Sequence, residues 1–123
     1  MAKILVIEDE PELRELMVSE LQYSGHRTIE AENGEQGLQR ILSEAPDIIL
    51  ADINMPKMNG HQLRGRLKQS HPQHARIPFV FVSALADESD IADGQMIGVD
   101  HYITKPIDFD KLTGWIHDLT AGR

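Results

Sequence analysis

DIILADINMPKMNG, residues 47–60, decides the reading of this chain. Its apolar half, Ile48 to Ala51, is rich in β-branched residues and lacks period-2 alternation, which is the pattern of a strand buried on both faces. Asp52 stands at the C-terminal edge of that run, and Asn54-Met55-Pro56 follows as a turn-forming loop. Two further runs share the character: Ile4–Ile7, which leads into Glu8-Asp9-Glu10, and Phe79–Val82, which leads into Ser83. Weaker strands are expected around Arg27–Ala31 and Asp100–Ile103, composed to suit sheet edges.

Helical patterns separate the strands. Leu13, Leu16, Met17 and Leu21 recur at helical spacing, with Pro11 suited to a first turn and Gly25 to a C-terminal cap. Leu38, Ile41, Leu42 and Ala45 mark a second helix that ends before Pro46. A third is expected from about His61 to Ser70 and a fourth from about Glu88 to Met96. Phe109, Leu112, Ile116 and Leu119 carry a fifth, with Asp108 as N-cap. Five strands alternating with five helices predict a doubly wound α/β fold around one parallel sheet. Ligands of such sheets bind beyond the carboxyl ends of the strands, where the winding reverses.

Composition narrows the function classes. The 123 residues make one domain spanning 1–123, with 41% hydrophobic and 26% charged residues. A formal net charge of -8 argues against a nucleic-acid surface, so any such contact would belong to another domain or protein. The absence of Cys excludes disulfides, thiolate catalysis and Cys-based metal sites. No apolar stretch approaches membrane-spanning or signal-peptide length, and the default expectation is a soluble, cytoplasmic protein.

The chemistry resides at the strand ends. If the first and third strands are neighbours, Glu8, Asp9 and Asp52 converge, and three close carboxylates oppose one another's ionisation. Such a cluster makes sense around a divalent cation. Each part also has a plainer reading: Glu8-Asp9-Glu10-Pro11 as an acidic helix start, Asp52 as a turn residue, Gly60 as a loop terminator, Ser83 as a strand-end hydroxyl, Lys105 as an exposed lysine beside Pro106. Together, carboxylates, a hydroxyl and an ammonium at one sheet edge supply what phosphoryl transfer requires: charge neutralisation, an oxygen-binding donor and a nucleophile. His71 and His74 flank Pro72 without an obvious third ligand and read as surface residues, and Trp115 reads as packing or a partner contact.

In order and spacing, ILVIEDE (4–10), DIILADINMPKMNG (47–60), FVFVSA (79–84) and DHYITKP (100–106) resemble the receiver domain of two-component response regulators, of the chemotaxis-regulator kind, from Lys3 to about Thr120. The resemblance implies a flavodoxin-like sheet of order 2-1-3-4-5. It implies Asp52 as phosphoacceptor, and Mg²⁺ held directly by Asp9, mainly through a metal-bound water by Glu8, and further by Asp52 and the backbone carbonyl of Asn54. Lys105 would pair with a phosphoryl oxygen, or with Asp52 before phosphorylation. Ser83 and Tyr102 would form a switch pair, Pro106 would follow a cis bond, and Asn54 and Leu85 would flank the water that hydrolyses the aspartyl phosphate. Leu85 has no polar atom to orient that water, so the phosphoryl state is expected to outlast that of a relative with a carboxylate or amide at that position. Asn59 stands where Asp is commoner and is expected to be solvated.

By the same resemblance the chain is a signalling domain that catalyses only its own phosphorylation and dephosphorylation. A sensor histidine kinase or histidine phosphotransfer protein would supply the phosphoryl group. A downstream effector would read the face of the fourth helix, fifth strand and fifth helix, and a phosphorylation-dependent homodimer is a further expectation. The chain would be a single-domain regulator or the receiver part of a longer protein. Two rivals fit less well. A haloacid-dehalogenase-like phosphatase would place nucleophile and acid/base together after the first strand, and a flavodoxin-like cofactor binder would repel its phosphate at Glu8-Asp9-Glu10.

Overall fold

In the computed structural model, residues 2–53, 57–83 and 101–120 are described, the side chains of Ser83, His101, Tyr102 and Thr104 excepted. Five strands form one sheet: β1 (Lys3–Ile7), β2 (Arg27–Ala31), β3 (Ile48–Asp52), β4 (Phe79–Ser83) and β5 (His101–Thr104). Their order is β2-β1-β3-β4-β5 and every pairing is parallel. The chain winds outward from β1 to β2, then crosses back over β1 to β3. The switch point of this flavodoxin-like order therefore falls between β1 and β3.

Alternation within each strand sorts the core into two layers. Leu5, Ile7, Ile49, Ala51, Phe79 and Phe81 face α2 (Gly34–Glu44) and α3 (Gly60–Ser70), meeting Ile41, Leu63 and Leu67. Ile4, Val6, Ile48, Leu50, Val80 and Val82 face α1 (Pro11–Tyr23) and the C-terminal helix (Phe109–Thr120), meeting Met17, Leu21, Leu112 and Ile116. Each Val, Leu, Ile, Phe or Met among them is worth about 1.5–3 kcal/mol when fully buried. Both faces are covered, which is why the strands read as unbroken apolar runs rather than as alternating ones.

The helix ends follow local chemistry. Pro11 opens α1. At the other end Gly25, at φ 92°, lets its N–H reach Gln22 O at 3.0 Å and the His26 N–H reach Leu21 O at 3.1 Å, a Schellman closure. Asn33 caps α2, accepting the Gln36 N–H at 2.9 Å. Asp108 caps the C-terminal helix, accepting from the Lys111 N–H at 3.2 Å.

Several sequence expectations need correction. Leu16 and Leu42, counted in the apolar stripes, are 48% and 41% exposed. At 100° per residue each falls beside the stripe that Met17 and Leu21, or Ile41, turn toward the sheet. Ala45 is not a helical residue but a left-handed cap at φ 45°, just ahead of Pro46. Four α-helices and one short 3-10 turn, Pro72–His74, occur among the described residues. The helix expected at about Glu88–Met96 lies outside them. Among the described residues no helix is long and apolar enough to cross a membrane.

Candidate functional site

The register sets the site. Ile7 pairs with Ala51 and Asp52 with Val82, so the residues following β1 lie level with Asp52 at the carboxyl edge. Glu8 is held there by its backbone: its N–H donates to Ala31 O at 3.1 Å, and its carbonyl accepts from Arg14 Nη1 at 2.8 Å. Its side chain is anchored by the Glu10 N–H, which donates to Oε2 at 3.1 Å. Glu8 and Asp52 are buried, at 1% and 5% exposure, whereas Asp9 is open to solvent. One carboxylate oxygen from each of the three lies within 4.8 Å of the others.

Lys105 enters from beyond β5, through a cis Lys105–Pro106 peptide. Its Nζ donates to Asp52 Oδ2 at 2.8 Å and sits 3.4 Å from Glu8 Oε1. Burial works to lower the Lys105 pKa, but the hydrogen bond and charge of Asp52, helped by Glu8 and Glu10, outweigh it and hold the ammonium above its usual range. Glu8 is pushed up to about 8, first by burial and then by the neighbouring Asp52 and Asp9 carboxyls, against the opposing pull of the Glu10 N–H. One lysine does not neutralise this cluster.

The arrangement suits a hard divalent cation. Glu8 Oε1 is buried and accepts no hydrogen bond among the described residues, and the donor set is all oxygen. Glu8, Asp9 and Asp52 form the candidate metal group found among those residues, and neither His71 nor His74 joins it.

The remaining expected residues divide in two. Ser83 ends β4 opposite Thr104, at the same sheet edge as Asp52, and Tyr102 lies in β5 opposite Phe81. Asn54 and Leu85 lie outside the described residues. Asn59, expected to be solvated, is half-buried and forms a capping box: its Oδ1 accepts the Gln62 N–H at 2.8 Å and its own N–H donates to Gln62 Oε1 at 2.9 Å. Asn59-x-x-Gln62 was the sequence signal for it. Gly60 does more than end a loop. It opens α3, one residue before the expected His61, and a Cβ there would lie 2.9 Å from Asp52 O and 3.1 Å from Phe81 Cε1. Trp115 is half-buried against the core, with Lys111 Nζ 6.0 Å from its ring centroid.

Comparison with known proteins agrees with this geometry. The response regulator receiver domain family matches residues 4–117. The chain is 35% identical to Protein PilH of Pseudomonas aeruginosa over 122 residues, which is 99% of this chain and 100% of that one. It is 32% identical to the probable transcriptional regulator ycf27 of Porphyridium aerugineum over 95% of its own length, yet spans only 47% of that protein. Among solved structures, the response regulator TrrA of Thermotoga maritima in complex with Mg²⁺-BeF superposes with a TM-score of 0.83 at 31% identity, covering 97% of this chain and 99% of that one. The carboxylate cluster, the lysine bound to Asp52 and the whole-chain match lead to one conclusion: this chain belongs to the response regulator receiver domain family.

Proposed function

We propose that this chain is a signalling switch that accepts a phosphoryl group on Asp52 from a phosphohistidine of a partner protein, in a Mg²⁺-dependent reaction. The observation that carries the reading is Lys105 Nζ at 2.8 Å from Asp52 Oδ2, within a cluster of three carboxylates at the switch point of the sheet. The Asp52 carboxylate attacks phosphorus as the P–N bond to the partner's imidazole breaks, and the imidazole leaves with the bonding electrons. Lys105 exchanges its carboxylate partner for a phosphoryl oxygen. Gly60, with no side chain, lets α3 start directly against the Asp52 backbone.

Glu8, Asp9 and Asp52, with the Asn54 carbonyl, would hold Mg²⁺, as the Mg²⁺-BeF complex of TrrA suggests by likeness. When bound, the cation neutralises the negative charge shared by carboxylate and phosphoryl group. Ser83 and Tyr102 are the proposed switch pair, one ending β4 and the other in the neighbouring β5. The phosphoryl group draws in the Ser83 hydroxyl and repopulates the position of Tyr102, which changes the surface offered to an effector. The donor is a sensor histidine kinase or a histidine phosphotransfer protein.

Incubation with acetyl phosphate and Mg²⁺, read by intact mass, tests the assignment. The expected product is a single phosphoryl adduct that a chelator prevents and Asp52→Asn abolishes. Labelling of Asp52→Asn at the parent rate would refute it.

A further inference from the structure

Arg14 sits within one turn of the N-terminus of α1, where a positive charge opposes the helix dipole. Its side chain leans back toward that terminus, as helical side chains do. Nη1 donates to Glu8 O at 2.8 Å and Nε lies 3.3 Å from Glu30 Oε1, with the Arg14 side chain only 14% exposed. Glu30 belongs to β2, and the next residue, Ala31, accepts the Glu8 N–H. The guanidinium thus ties α1, the turn after β1 and the edge of β2 into one ring. Both backbone polar groups of Glu8 are fixed by that ring.

We propose that Arg14 is a positioning residue for the cation site, holding Glu8 and the adjoining Asp9 in place against mutual carboxylate repulsion. This rests on the Mg²⁺ reading above. Two effects of Arg14 on a cation have opposite sign. As a like charge it repels the cation, so its removal would tighten binding. As a clamp it holds ligands in register, so its removal would loosen binding. Glu30 offsets the charge at 3.3 Å, while among the described residues nothing else is seen to bond the Glu8 carbonyl. Positioning therefore dominates. Partners that orient metal ligands typically matter by 10–100-fold in affinity, and the lower end suits a backbone contact.

The test is the apparent Mg²⁺ dissociation constant of the full chain, taken from the rise of Tm with Mg²⁺ concentration. Arg14→Ala is expected to weaken Mg²⁺ roughly tenfold. Arg14→Lys should recover part of this, because an ammonium can reach the Glu8 carbonyl but cannot span it and Glu30 as a planar fork does. Glu30→Gln, which leaves the clamp an acceptor, should weaken Mg²⁺ less than Arg14→Ala. A merely structural role would lower Tm equally with and without Mg²⁺ and leave the constant unchanged. If the parent itself shows no Mg²⁺ dependence, the cation reading fails. If the parent responds and Arg14→Ala binds equally or more tightly, the positioning role is overturned. Should Arg14→Ala not fold, parent-like constants in both Arg14→Lys and Glu30→Gln overturn it instead.

Discussion

Removing Lys105 should destabilise the metal-free protein while removing its partner should not. Lys105→Met deletes the ammonium 2.8 Å from Asp52 Oδ2 and 3.4 Å from Glu8 Oε1, leaving two carboxyls whose side chains are 6% and 1% exposed. Breaking a fully buried pair by removing one partner costs about 3–5 kcal/mol, whereas a surface pair is worth about 0–1 kcal/mol. The Lys105 side chain is 23% exposed, which places the loss between these limits. Glu8, already pushed up to about 8, absorbs part of it by keeping its proton. The expected cost is about 2 kcal/mol, or roughly 8 °C in Tm for a domain of this size. Asp52→Asn removes a charge from a crowded acidic site and leaves Lys105 with Glu8 and solvent, so its stability should equal or slightly exceed the parent's. The double variant should then resemble Asp52→Asn rather than show the sum of the two. Urea unfolding in the presence of a chelator measures all four proteins and yields the coupling directly. Excess Mg²⁺ should shrink the Lys105→Met deficit, because the cation takes over the neutralisation. Parent-like stability of Lys105→Met without Mg²⁺, or additive effects in the double variant, would refute the reasoning.

Two stability predictions follow from other parts of the chain. Gly60→Ala places a methyl 2.9 Å from Asp52 O and should cost about 1–3 kcal/mol, whereas Gly65→Ala, with nothing within 4 Å on the same helix, should gain about 0.5–1 kcal/mol; equal urea midpoints for the two would contradict the packing argument. His26 Nδ1 accepts the Ala2 N–H at 3.1 Å, and burial first, then the N-terminal amine and His117, lowers its pKa from 6.5. The fold favours the neutral ring, so this contribution is present above 6.5 and is lost as pH falls through the lowered folded value. Urea midpoints on both sides of 6.5 should show the loss in the parent and less of it in His26→Gln, and an identical slope in both proteins would dismiss His26 as the cause.

The layer architecture, and a set of candidate residues for the site, were legible in the sequence. Buried parallel strands announce themselves as β-branched runs, so β1, β3 and β4 were legible, and their ends named Glu8, Asp9, Asp52 and Ser83 as candidates. Pro11, Gly25 and Asp108 marked helix ends because capping depends on one or two residues and is read locally. What periodicity does not carry is rotation: the stripes that included Leu16 and Leu42 were right in spacing and wrong in which flank met the sheet. The pairing of Lys105 with Asp52, 53 positions away, was expected through the family resemblance alone, because the contact depends on where β5 lies beside β4, which local spacing does not record. Only the fold showed that Arg14 reaches back to the Glu8 carbonyl and across to Glu30, and that Gly60 has no room for a side chain. These features depend on distances between elements that are far apart in the chain, and a single sequence records residue types and local spacing but not those distances.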